Sequence, residues 1–268
     1  MAAVEFERQG PIAIVTINRP EARNSMNPEV MVRLTESFEE VRDNPDIRIA
    51  ILTGSGDKAF CAGADLGQLI PLMTGARKAE NEWDEKHLAN AKAGKRPFLF
   101  SEDTVKPVIA AINGHAIAGG MELVQGTDIR VACPEAKFGV QEVKWALFPA
   151  GGSTVKLPKQ IPFAKAMELL LTGDLITAAE ALELGFLNYV LPRDQVLPKA
   201  VEIAEKIAAN GPLAVTAIRK SARECVGYTE VEALKLEGKL SAPIFKSEDA
   251  VEGPAAFMSK RTPVFKGK

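Results

Sequence analysis

The apolar positions change period as the chain runs. Val4–Glu7 alternates and Ile12–Asn18 is nearly continuous, both rich in β-favouring residues. Gln9-Gly10-Pro11 between them carries turn chemistry, which predicts a hairpin. Asn27-Pro28 then opens a helical pattern, with Val30, Met31, Leu34, Phe38 and Val41 on one face. That predicts a helix to about Arg42, with Asn27 as cap and Pro28 in the first position. After Asn44-Pro45-Asp46, the short β-branched run Ile47–Thr53 predicts a buried strand. Val108–Ile112 and Ile129–Ala132 predict two more, with a glycine-rich turn and a helical Met121–Gln125 between them.

From Phe163 onward the pattern is helical: Ala164–Thr172, Ala178–Leu184, Pro198–Ala209, Leu213–Val226 and Val231–Phe245. Gly173, Gly185 and Gly211 stand where these helices should stop. Strands alternating with helices predict an α/β domain, in which a strand–strand–helix unit stacks as a spiral. The segment from Gly67 to Asp103 is polar and charged, with little periodicity. It reads as an excursion of helix and loop: a lid, a pocket wall, or a disordered stretch.

Composition narrows the function classes. The 268 residues are 46% hydrophobic and 25% charged, an ordinary profile for a soluble globular chain. Lys and Arg number 33 against 35 acidic residues, so the basic excess that marks nucleic-acid binding is missing. Cys61, Cys133 and Cys225 lie too far apart for metal-type spacing or a disulfide framework, which predicts reduced thiols. No apolar run reaches the roughly 18 residues that a membrane span needs. The opening MAAVEFERQG lacks a secretory pattern, so a cytoplasmic location is expected.

Two glycine-rich segments follow predicted strands: AFCAGADL at Ala59–Leu66 and HAIAGGMEL at His115–Leu123. Such a turn can leave backbone N–H groups aimed at a ligand, or it can simply serve close packing. Neither phosphate-loop spacing is present. Gly119 and Gly120 should begin a helix, where N–H groups have no intrahelical partner and carry the positive end of its dipole. Glu122 falls in that first turn, and Glu142 lies beyond the next strand. Each reads alone as a surface or dipole-stabilised carboxylate; brought together in one pocket, they could serve as acid and base. His87 reads as solvent-facing within the charged excursion, His115 as a turn residue or a base. Cys61 has no catalytic partner legible around it, and Asp65 reads as a loop anchor or cap.

These residues bring the chain close to a known family. IVTINRPEARNSMN, AFCAGADL, KPVIAAINGHAIAGGMELVQGTDIRVACPEAKFGVQE, LLLTGDLITAAEALELGFLNYVLP, NGPLAVTAIRK and EGPAAFMSKRTPVF, in that order, resemble the crotonase superfamily, and within it the enoyl-CoA hydratases. The resemblance implies an α/β spiral of ββα turns over residues 1–200 that carries the site, and a helical trimerisation region over 201–268. It implies that the Ala64 and Gly119 N–H groups form an oxyanion hole, with Glu122 and Glu142 as the catalytic pair. CoA would meet Ala22, Arg23, Ala62 and Ala64, together with Phe257 and Lys260 from a neighbouring subunit.

Hydration of a trans-2-enoyl-CoA thioester is the expected reaction, with CoA as part of the substrate and no metal or redox cofactor. The expected partners are the acyl-CoA and further copies of the chain, as a trimer or a pair of trimers, without nucleic acid or membrane. Double-bond isomerisation, or a non-catalytic RNA-binding member of the fold, are the alternatives. Where the family often has three glycines, this chain has Ala118-Gly119-Gly120, and Trp145, Phe148 and the cluster Phe98-Leu99-Phe100 are the candidates to shape the acyl pocket.

Overall fold

A computed structural model describes residues 2–90, 96–99 and 105–268. Phe100 and the rest of the 91–95 and 100–104 stretches lie outside the described residues. The first two apolar runs pair as an antiparallel hairpin, β1 (Val4–Gln9) with β2 (Ile12–Ile17). Gly10 turns it at φ +58°, a conformation that glycine adopts without steric cost. α1 (Pro28–Asp43) starts at the expected cap: Asn27 Oδ1 accepts from the Val30 N–H at 3.0 Å.

The chain then winds through repeated turns that feed two sheets. β3 (Ile49–Gly54) and β4 (Ala59–Cys61) lead to α2 (Leu69–Thr74) and α3 (Glu82–Ala89). β5 (Val108–Ile112) and β6 (His115–Ile117) lead to α4 (Gly119–Gly126). β7 (Ile129–Ala132) and β8 (Lys137–Gly139) lead to α5 (Ser153–Gln160) and α6 (Phe163–Thr172). β9 (Ile176–Thr177), α7 (Ala178–Glu183) and β10 (Tyr189–Val190) close the spiral. One sheet has the order β1-β2-β3-β5-β7-β10 and is parallel from β2 onward. The other, β4-β6-β8-β9, is parallel except for its last pair. β3 and β5 are buried along their whole length, as parallel strands covered on both faces must be.

α8 (Arg193–Ala208) covers the larger sheet, with Val196, Ala200, Ala204 and Ala208 along its buried stripe. It begins ahead of the expected start at Pro198. That proline therefore sits inside the helix, where it gives up one N–H, and the buried stripe keeps the helix in place. α9 (Pro212–Glu224) is tied back by two arginines: Arg219 Nε and Arg223 Nε donate to the two oxygens of Asp128 at 2.8 and 2.9 Å. α10 (Glu230–Ser241) and α11 (Glu248–Met258) complete the chain. They expose Val231, Leu234, Val251, Phe257 and Met258.

Asn24 locks the segment between β2 and α1 onto the β3–β4 turn. Its fully buried side chain donates to the Ser55 and Ala59 carbonyls at 2.9 and 2.8 Å and accepts from the Arg19 N–H at 2.9 Å. Asn24→Ala strips these partners and should lower the unfolding free energy by about 1–3 kcal/mol, read from urea denaturation. An unchanged midpoint would show that water replaces the amide without cost.

Candidate active site

β4 and β6 are neighbours in parallel, so the segments leaving them emerge on the same edge. There Gly120 packs directly on the Cys61 backbone, and a Cβ at this position would overlap the Cys61 carbonyl. A Cβ on Gly119 would stand 3.6 Å from the Ala64 nitrogen and 2.5 Å from Met26 Cε. Position 120 therefore requires glycine, a Cβ at 119 would displace the end of Met26, and this bareness brings the start of α4 against Gly63 and Ala64.

Two N–H groups are left over at this junction. Ala64 bridges Met26 in parallel, through Met26 N–H to the Gly63 carbonyl (2.8 Å) and Asp65 N–H to the Met26 carbonyl (2.9 Å). That pattern uses the groups flanking Ala64 and turns its own N–H to the other side. The Gly119 N–H opens α4 and has no carbonyl a turn behind it. Among the described residues neither N–H has an acceptor. Ala118, between β6 and α4, holds φ 53° and ψ −126°, a region in which a side chain is strained. Its N–H to the Gly139 carbonyl (2.8 Å) and its carbonyl to the Glu122 N–H (3.1 Å) hold it there.

Glu122 is 3% exposed. Its Oε1 accepts from the Ser153 N–H at 3.1 Å, at the start of α5, where the helix dipole favours negative charge. Burial raises its proton affinity, while the Ser153 and Gly151 amides and the Lys156 charge act the other way. Gly151 must be glycine, because a Cβ would run into the carboxylate.

Glu142 begins a short 3₁₀ turn, Glu142–Trp145, and its Oε2 is buried without a hydrogen-bond partner. Burial first, and the Glu122 charge second, push it up to about 7. The two glutamates, the Ala64 and Gly119 backbone, and an apolar wall line one cavity of about 360 Å³.

That wall gives the charged segment its place. Leu69, Ile70 and Met73 on α2, with Phe98, line the cavity, and Trp145 and Phe148 stand at its exposed rim. His87 also lines it and is only 8% exposed, which corrects the solvent-facing reading. The reason is local: Asp84 is buried in a two-point pair with Arg77, and Arg33 and Lys86 cover the Trp83 ring. α3 thus turns Asp84 and His87 inward while Glu82, Glu85 and Lys86 face out.

Asp65 is the loop anchor, accepting from the Gly67 and Gln68 N–H groups and from Arg19 and Ser25. Cys61 is fully buried and its thiol is pushed up to about 12, which rules out a resting thiolate. His115 is exposed on β6, away from this cavity, and its Nδ1 accepts from the Lys137 N–H. Among the described residues no three of His, Cys, Asp and Glu gather as metal ligands would. None of the helices there is long and apolar enough to cross a membrane.

Residues 7–268 match the family described as enoyl-CoA hydratase/isomerase. The chain belongs to that family. It is 47% identical to a protein named enoyl-CoA hydratase EchA19 of Mycobacterium tuberculosis, with both chains covered in full. It is 39% identical to an (E)-benzylidenesuccinyl-CoA hydratase of Thauera aromatica, over 98% of this chain and 99% of that one. An enoyl-CoA hydratase structure from Mycobacterium tuberculosis superposes with a TM-score of 0.87 at 37% identity, covering all of both chains. The crotonase-type α/β fold expected from the sequence is thereby established.

Of the six residues expected to meet CoA, Ala62 and Ala64 line the cavity, and the Ala62 N–H donates to the Arg23 carbonyl at 3.1 Å. Ala22 ends the preceding 3₁₀ turn. Arg23 borders a separate hollow of about 300 Å³ with Lys58, His115 and Arg193. Phe257 is 82% exposed at the end of α11, with Lys260 just beyond it, and within one chain neither lines the cavity.

The raised proton affinity of Glu142 has a thermodynamic consequence. Folded, it binds its proton to about pH 7; unfolded, it releases it near 4.5. Between those values the folded state binds more protons, so stability falls as pH rises through the window. Relative to Glu142→Gln, the wild type should lose roughly 1–3 kcal/mol between pH 5 and pH 8, measured by denaturant unfolding at each pH. Parallel pH profiles for the two proteins would refute the burial-driven shift.

Proposed function

We propose that this protein hydrates trans-2-enoyl-CoA thioesters to 3-hydroxyacyl-CoA. The observation that carries this reading is two desolvated carboxylates, the Glu122 charge acting on Glu142, beside two N–H groups that have no acceptor among the described residues, in one largely apolar cavity. The Ala64 and Gly119 N–H groups would receive the thioester oxygen. Charge builds on that oxygen as C3 is attacked, so each donor contributes most in the transition state, roughly 3–4 kcal/mol.

Glu122 orients water and takes its proton as the oxygen bonds to C3; Glu142 delivers a proton to C2. The two environments support this division. Burial raises both, but two amides and Lys156 offset part of it at Glu122, whereas Glu142 Oε2 has no partner among the described residues and the group holds its proton to about pH 7. The chemistry asks for no metal or redox cofactor, and CoA enters as part of the substrate. Ala22 and Arg23 would lie toward the nucleotide, with the Ala62 carbonyl against the adenine.

Phe257 and Lys260 would reach CoA from a neighbouring subunit, in a trimer or pair of trimers assembled through the exposed apolar faces of α10 and α11, in the cytoplasm.

With crotonyl-CoA or a longer homologue, the conjugated enoyl-thioester absorbance should disappear. Glu122→Gln and Glu142→Gln should each lower kcat by about a hundredfold or more. A protein that leaves every 2-enoyl-CoA untouched but converts a 3-enoyl-CoA is an isomerase, and the hydration reading is then wrong. Sedimentation equilibrium should return the mass of three or six chains. A fully active monomer would remove Phe257 and Lys260 from the CoA site.

A further inference from the structure

α3 turns one polar side chain into an otherwise apolar stretch of the cavity wall. The same lining takes Met31 from α1 and Leu69, Ile70, Met73 and Thr74 from α2. Its Nδ1 is sealed off from solvent and cavity alike and has no hydrogen-bond partner, and no hydrogen bond among the described residues involves the ring, so Nε2 is the nitrogen left to meet a ligand. Buried histidines normally spend a ring nitrogen on a backbone group or a carboxylate. Asp84, one turn back, is not available for this. Both its oxygens are committed to Arg77, and one also accepts from the Glu80 N–H.

Burial holds the His87 imidazole in its neutral form, opposed only by the Asp84 charge. A neutral ring has one N–H to donate and one nitrogen to accept. His87 shares one cavity with Glu122 and Glu142 and stands on a different element, α3. With the thioester at Ala64 and Gly119, this is the wall that the acyl chain would meet.

We propose that His87 hydrogen-bonds a neutral oxygen, a hydroxyl or a ketone, carried on the acyl group away from the double bond. The natural substrates are then oxygenated 2-enoyl-CoAs rather than plain alkyl ones. This rests on the hydratase reading of the site. A carboxylate in the same place would face the Asp84 charge and lose its own hydration in an apolar cavity. A plain alkyl chain seated there would displace water from Nε2 and offer it no partner, and a site built around such a group discriminates against the analogue that lacks it.

The test uses pairs of trans-2-enoyl-CoAs of equal length that differ only in a hydroxyl or keto group near the distal end. In the wild type, kcat/KM should favour the oxygenated member by about three- to tenfold. The ratio should fall to about one in His87→Leu and recover in part in His87→Gln, whose amide keeps a donor. A wild-type ratio near one at every chain length overturns the proposal, and so does a preference that survives in His87→Leu. Should that variant fail to fold, the wild-type ratio and the glutamine variant still decide. If no 2-enoyl-CoA is hydrated, the hydratase reading fails by itself. The same ratio is then taken from dissociation constants of saturated acyl-CoA pairs by calorimetry. Tighter binding of the oxygenated member, lost in His87→Leu, supports the contact, and equal binding in the wild type overturns it.

Discussion

The contact between Gly120 and the Cys61 backbone sets the position of everything that could act on a substrate. Neighbouring parallel strands deliver two chain segments to one edge, but delivery alone would leave them a side chain's width apart. Glycine at positions 119 and 120 removes that width, so the first turn of α4 rests on the strand exit that carries Gly63 and Ala64. Two N–H groups then lie side by side without acceptors, and Glu122, in the same helical turn, is carried to them. A methyl group at position 120 would push the helix out and separate all three at once.

Burial gives this arrangement its electrostatic character. A carboxylate deprived of water binds its proton more tightly, and a second carboxylate nearby adds to the effect. Burial raises Glu122 too, but the Ser153 and Gly151 amides and Lys156 offset part of that rise. Glu142 has only its own backbone N–H against burial, its Oε2 is without a partner among the described residues, and it is pushed up to about 7. The same fold thus makes two chemically identical groups unequal, which is what an acid and a base side by side require.

The elements legible in the sequence are those whose signals are periodic. The hairpin, α1 with its Asn27 cap, and the buried runs of β3, β5 and β7 all appear where their patterns point. β6 and β8 are three residues each, too short for alternation to show. α5 carries Pro158 and α11 Pro254 inside the helix, and a proline there masks the helical pattern around it. The burial of His87 is not legible in its neighbours, because it depends on the Arg77–Asp84 pair, a contact with no period at all. In the site, backbone donors leave no side-chain signature; the bare glycines are their only trace, and six matching segments in order are needed to interpret them.

The cavity has two kinds of wall, and they come from different parts of the spiral. The two free amides and Glu122 stand on a strand exit and on the start of α4, pinned by the Gly120–Cys61 contact, and Glu142 stands on its own 3₁₀ turn. The acyl side is built from α2, α3 and the rim at Trp145 and Phe148, held by side-chain pairs such as Arg77–Asp84. Substitutions on that side change what the cavity accepts without entering the Gly120–Cys61 contact. This separation lets the apolar wall change while the spacing of the Ala64 and Gly119 amides, set by the glycine contact, stays fixed.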